Sequence, residues 1–131
     1  MLSFGNNMRA TIGGTGASHT GTTGEVTLAT VVLPAGIMGA NGLCRVTSFW
    51  TFTSGGAPGT RTPRVKFGGT SISGNANANT VLSQSVVSIV NNKTAATQTA
   101  TGLGSATGLG ASTATSLALT VDTTAAVTIL F

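Results

Sequence analysis

The chain has 131 residues, enough for one domain with a buried core, and 6% of them are charged, against about 25% in ordinary soluble domains. Its net charge of +4 comes from six Lys and Arg against two acids, which is too sparse for the dense basic surface of a nucleic-acid-binding domain. One cysteine excludes a disulfide within the chain, and no apolar stretch approaches the ~18 residues of a membrane-spanning helix.

Residues 1–24 predict a flexible N-terminal arm, because Gly, Thr and Ser dominate the segment and leave little to bury. We expect Phe4 to dock on a neighbouring subunit. His19 has no cysteine or second histidine near it, so we expect a solvated side chain and no metal site. Gly13–Gly16 lacks the lysine and the following helix of a phosphate-binding loop. The absence of a secretory leader predicts folding in a reducing cytoplasm.

Two strands are predicted next, with a Gly-rich loop over residues 34–42 between them. Residues 25–33 form the first, and Pro34 ends it because proline cannot donate to a ladder. Residues 43–53 alternate over eleven positions and carry the single Trp, which predicts the central strand of the core. The side chains expected to face the core in these strands are Val26, Leu28, Val32, Cys44, Val46, Trp50 and Phe52.

The middle of the chain predicts a strand over residues 61–67, with Val65 and Phe67 inward. A Gly68–Gly69 turn leads to a short segment that ends near residue 73. Residues 80–92 could be taken for a helix, but their β-branched side chains favour a strand. Residues 93–112 are low in complexity, and we expect a long loop there.

The end of the chain predicts two more strands. Residues 113–122 place Leu117, Leu119 and Val121 in the core. Residues 126–131 alternate so that Val127, Ile129 and Phe131 share one face. An apolar terminal strand is unusual, since termini are normally polar and loose. We therefore expect these three residues, with Phe4, to form an oligomer interface by strand pairing; the alternative is a chain shorter than the fold it derives from.

Together these segments give about seven or eight short antiparallel strands and no convincing helix. This pattern predicts an all-β, jelly-roll-like β-sandwich over residues 25–131, preceded by the arm over residues 1–24.

The titratable side chains are too few and too scattered for a clear catalytic site. Glu25 with Asp122 could imitate a glycosidase pair, and Cys44 with His19 a nucleophile and base. The carboxylates lie at strand ends far apart in sequence, and Cys44 is expected to point into the core. We therefore predict no enzyme activity, no cofactor and no metal.

The basic side chains form one further candidate surface. Arg45, Arg61, Arg64 and Lys66 lie close in sequence and could line one face. We expect that face to be solvated or to form salt bridges with a neighbouring subunit. Contact with nucleic acid is the weaker alternative, and it would show a steep salt dependence.

Three stretches of the sequence resemble structural proteins of tailed bacteriophages. They are the Pro/Gly/Asn-containing run over residues 33–43, with Arg45, Val46 and Trp50 after it, then residues 64–70 and residues 117–124. The resemblance is to a jelly-roll group of capsid decoration, head-fibre and tail-fibre proteins, and it covers residues 25–131. It implies a homotrimer on the virion surface, assembled in the host cytoplasm. Members of the group have further strands after the position of Phe131.

Two functions are therefore expected. The first is a non-enzymatic virion protein that oligomerises and contacts capsid or tail subunits, because a surface without charges is suited to burial in an assembly. The second is a tail-fibre module that binds host-surface carbohydrate, with Phe49 as the aromatic candidate on the outward face.

Overall fold

The computed structural model describes residues 24–51, 62–74, 82–91, 94–102 and 116–131. These residues contain eight β-strands, in agreement with the predicted number. The strands are β1 (Thr30–Leu33), β2 (Leu43–Thr51), β3 (Arg64–Phe67), β4 (Thr70–Gly74), β5 (Leu82–Asn91), β6 (Gln98–Gly102), β7 (Ser116–Leu119) and β8 (Val127–Leu130).

The strands form two four-stranded antiparallel sheets, in the orders β1-β8-β3-β4 and β2-β5-β6-β7. Each strand supplies at least one buried apolar side chain to a single core cluster, so the two sheets pack face to face. The predicted all-β sandwich is confirmed. The jelly-roll connectivity and the domain boundary after residue 24 stay predictions.

The core contains four of the side chains that the alternation had placed there: Val46, Val65, Phe67 and Leu119. Phe67 is completely buried, and the neighbouring Gly68 and Gly69 both have positive φ, as a two-residue hairpin between β3 and β4 requires. Four further residues expected in the core are half-buried, namely Leu28, Cys44, Trp50 and Val121. Phe52 lies outside the described residues.

Strand β1 presents the opposite face from the one predicted. Val32 is 56% exposed, and Val26, which precedes β1, is 49% exposed, so both are wrong as core residues. Val32 lies opposite the exposed Thr128 of β8, whereas Leu33 lies opposite the buried Val127. Cross-strand partners share a face, so β8 determines which side of β1 turns inward. Because Val31, Val32 and Leu33 are all apolar, the sequence pattern alone does not indicate which face of β1 is buried.

Strand β8 occupies an inner position of its sheet, between β1 and β3. Val127 and Ile129 are buried within this one chain, at 4% and 3% exposure. The backbone of Phe131 also exchanges hydrogen bonds with the backbone of Ala29. The prediction that these side chains are buried only against a partner subunit is therefore wrong, because β1 and β3 of the same chain pair with both edges of β8. Phe4, the remaining member of that interface, lies outside the described residues.

Three predictions about the second sheet also need correction. Among the described strands, β2 lies at the edge of its sheet and not at the centre, since β5 is its one neighbour there. The expected loop over residues 93–112 contains β6, whose small and polar side chains hid the alternation. Leu117 is 40% exposed and is wrong as a core residue, although its register partner Ala100 is buried. Within the described residues β7 has a neighbouring strand on one side only.

Candidate functional site

Strand β2 displays the most exposed aromatic side chain among the described residues. Phe49 is 75% exposed, and Leu43 on the same face is 57% exposed. Alternation over nine residues puts Arg45 and Thr47 between them, also exposed. We call the side chains of Leu43, Arg45, Thr47, Phe49 and Thr51 the β2 outer face. It combines apolar surface with one positive charge, which is unusual for a solvent-facing strand.

The outer face continues onto β5. Val90 is the register partner of Leu43 and is 40% exposed. Arg45 lies opposite Ser88, which is half-buried. Apolar and hydroxyl-bearing residues therefore continue the outer face across the strand pair.

The backbone of the same five residues points away from β5. The N–H of Asn91 donates to the carbonyl of Gly42 across the β2–β5 boundary at 3.0 Å, so this pair is hydrogen-bonded. Hydrogen-bonded and non-hydrogen-bonded pairs alternate along an antiparallel ladder. The odd-numbered residues of β2 consequently direct their N–H and C=O groups to the other edge. Within the described part of the chain, no strand pairs with that edge.

The opposite face of β2 contacts the core. Val46 and Ser48 are buried, and Cys44 and Trp50 pack against the core cluster while staying half-buried. The indole Nε1 of Trp50 donates a hydrogen bond to Ser48 Oγ at 3.0 Å. Burial raises the pKa of the Cys44 thiol. A raised pKa keeps the sulfur protonated and weakly nucleophilic, as expected for a structural cysteine.

The predicted basic surface is divided between two sites. Glu25 accepts hydrogen bonds from Lys66 and from Arg64, the latter at 2.6 Å between Nη1 and Oε2. These bonds lower the pKa of the Glu25 carboxyl. Arg45 lies in the other sheet, and the outer faces of a sandwich point in opposite directions. The single surface that joins Arg45 to the β3 cations is therefore a wrong prediction, and Arg61 lies outside the described residues.

A buried polar cluster closes one end of the sandwich, and no pattern in the sequence predicted it. Its side chains are Asn91, Gln98 and Thr123, each at most 3% exposed. Gln98 Nε2 donates to the carbonyls of Val121, at 2.7 Å, and Ala95, while Gln98 Oε1 accepts from the Val121 N–H at 3.0 Å. The side-chain amide of Gln98 thus bonds both the N–H and the C=O of Val121, as the backbone of a neighbouring strand would.

The other two members connect three loops. Thr123 Oγ1 donates to the carbonyl of Ala95 at 2.8 Å, and Asn91 Nδ2 donates to Thr123 Oγ1 at 3.0 Å and to the carbonyl of Gly39. The cluster thereby fixes the ends of the strands relative to one another. Isolated Asn, Gln and Thr residues in a chain rich in polar residues gave no pattern that would have identified it.

The carboxylates of Glu25 and Asp122 have separate hydrogen-bond partners. Glu25 is held by the two β3 cations, and Asp122 Oδ1 accepts from the hydroxyl and the N–H of Thr124. The hydroxyl bond is the larger cause of a lowered pKa at Asp122. The pairing of Glu25 with Asp122 is therefore not seen, since each carboxylate binds other residues. The predicted partner of Cys44, His19, lies outside the described residues.

A metal-binding constellation is also lacking in the described ranges, where no three His, Cys, Asp or Glu residues gather closely enough to hold an ion. No helix in the same ranges is long and apolar enough to cross a membrane.

No protein-family model, curated protein or solved structure matches this chain.

Proposed function

We propose that this chain is a non-enzymatic structural protein that associates with itself and decorates the surface of a phage particle. The observation that carries the proposal is the β2 outer face, where Phe49 and Leu43 remain exposed beside a single charge. Exposed apolar area of this kind marks an interaction surface. The 6% charged composition supports the same conclusion, because a surface covered by neighbours has less need of charge.

The resemblance supplies the setting of this proposal: a homotrimer held on capsid or tail subunits. Two measurements test it separately. Sedimentation of the purified chain at micromolar concentration is expected to give an oligomer, and a stable monomer would contradict self-association. Peptide mass spectrometry of virions of the encoding phage is expected to find the chain at fixed stoichiometry. Its absence from particles would refute the virion role.

A second candidate function is binding of host-surface carbohydrate, and the exposure of Phe49 favours it. An exposed aromatic ring on a rigid strand offers an apolar face on which a sugar ring can stack. A glycan array is expected to lose its signal with Phe49→Ala and to keep it with Phe49→Trp. Leu43→Ala is the matched control, since it removes exposed apolar area without removing an aromatic ring. An array without any signal for the unaltered chain would exclude this function.

A further inference from the structure

We propose that β2 pairs with β2 of a second copy, antiparallel, about a two-fold axis that passes through Thr47. This inference deepens the self-association in the proposed function and does not depend on the virion role. The second edge of β2, with which no strand pairs in the described part of the chain, supplies the contact, because the odd-numbered residues of β2 direct N–H and C=O groups away from β5. Addition of a strand to such an edge is an established recognition mode.

The axis follows from the length of the strand and the direction of its backbone groups. Thr47 is the middle residue of the nine in β2, so a two-fold axis there pairs the whole strand with its copy. Odd residues then lie opposite odd residues, which keeps inner faces with inner faces and outer faces with outer faces. Every outward N–H and C=O of β2 finds a partner. An axis at any other residue leaves one end of the strand unpaired.

Side chains on the outer face select the same axis. It places Arg45 of each copy opposite Phe49 of the other, where the guanidinium can lie on the ring. An axis at Arg45 would instead put two arginines opposite each other, which is destabilising. The single charge of the β2 outer face thus gains a partner in the two-fold register, and the most exposed ring is covered.

The inner face agrees with this register. Cys44 lies opposite Trp50 of the second copy, and both side chains are half-buried against the core in the single chain. Pairing two β2 strands covers the remaining surface of both and makes one eight-stranded sheet from two. The only Trp of the sequence therefore reports on the contact.

Proline at position 47 tests the contact without breaking the fold. The N–H of Thr47 points to the free edge, so Thr47→Pro removes no hydrogen bond to β5. We expect at least a tenfold weaker association, measured by sedimentation, with an unchanged far-ultraviolet circular dichroism spectrum. Thr47→Val, which keeps the N–H and the size of the side chain, is the matched control and is expected to associate normally. Association unaffected by Thr47→Pro overturns the inference.

Cysteine cross-linking tests the register, in a Cys44→Ser background. Hydrogen-bonded partners have Cα atoms about 5.5 Å apart, within the range that a disulfide spans. Thr47→Cys is therefore expected to form a covalent dimer on mild oxidation. Arg45→Cys alone is expected to stay monomeric on a denaturing gel, because the two copies of position 45 lie about 13 Å apart along the strand direction and about 14 Å apart in all. A mixture of Arg45→Cys and Phe49→Cys is expected to cross-link.

The outcomes separate this inference from the proposed function. Cross-linking of Arg45→Cys alone, or none with Thr47→Cys, overturns the two-fold register. A trimer whose mass is unchanged by Thr47→Pro overturns the β2 contact and leaves self-association standing. A monomer at every concentration overturns both. A dimer that becomes a monomer with Thr47→Pro supports the β2 contact and self-association but contradicts the homotrimer. A hexamer that becomes a trimer supports the β2 contact and the homotrimer together.

Discussion

Replacement of Gln98 by glutamate makes the buried polar cluster dependent on pH. The Gln98 amide donates to the carbonyls of Val121 and Ala95 and accepts from the Val121 N–H. An introduced carboxylate of the same shape can still accept from Val121, but its second oxygen faces two carbonyl oxygens. Each buried polar group left without a partner costs about 1–3 kcal/mol. For Gln98→Glu we expect a loss of about 3–5 kcal/mol in the free energy of unfolding at pH 7.

The loss should diminish in acid. Burial and the neighbouring carbonyls disfavour the charged form, so the folded chain raises the pKa of the introduced carboxyl above the unfolded value of about 4.3. The unfolded chain then ionises first as the pH increases, and the folded state becomes less stable. The penalty is therefore smallest below about pH 4 and grows toward pH 7.

Guanidinium denaturation followed by Trp50 fluorescence at pH 4 to 8 measures this difference. Ala96→Glu is the matched control, because Ala96 is exposed in the turn just before β6 and gains the same charge without burial. Its stability should follow that of the unaltered chain across the pH range. Equal stability of Gln98→Glu and the unaltered chain at pH 7, or parallel pH profiles, would refute the assignment of Gln98 as a donor to two carbonyls.

The remaining predictions concern the core, the hairpin and the ion pair. Phe67→Ala is expected to lose about 3–5 kcal/mol in denaturant unfolding, because a fully buried ring leaves a cavity; a loss below about 1 kcal/mol would contradict that packing. Gly68→Ala is expected to lower the melting temperature more than Gly69→Ala: both have positive φ, but a Cβ on Gly68 would lie 2.6 Å from a Val121 methyl carbon, whereas one on Gly69 meets nothing within 4 Å. Equal effects would count against the close approach. Nuclear magnetic resonance titration should give Glu25 a pKa below 4.5 that increases with Arg64→Ala. The ion pair of Glu25 adds a small stabilisation at pH values above the ordinary pKa of the carboxyl, and this is lost as the pH falls through the pKa of the folded state. A Glu25 pKa that does not change with Arg64→Ala would contradict the ion pair.

Much of the sandwich was predictable because alternation and turn residues are local. The β3 hairpin is the clearest case, since Val65 and Phe67 alternate with two cations and two glycines follow. The position of β2 at an edge was not predictable, because strand order depends on pairing partners far away in the sequence. An aromatic-rich strand looked central on composition alone. The prediction of which face of β1 is buried was wrong for a similar reason. Pairing with β8 determines that face, and β1 and β8 are separated by most of the chain.

The candidate site was predicted in part. The outward position of Phe49 followed from alternation, and the structure bears it out. The prediction of a single basic surface was wrong because residues close in sequence need not lie in the same sheet. The ion pairs of Glu25 with β3 were not predicted because they join segments that are distant in the sequence. The burial of Gln98 was not predictable, since a polar residue among threonines is typical of a loop. Such residues are identified only when their partners are known.

The inner position of β8 has a consequence for synthesis on the ribosome. β1 is made about a hundred residues before the strand that pairs with it, so closing that loop is among the most non-local steps of folding. Until β8 has left the ribosome, the strand that lies between β1 and β3 is missing, and the first sheet cannot be completed. A nascent chain that stalls before residue 127 would therefore expose the inner faces of both strands to aggregation or to chaperones.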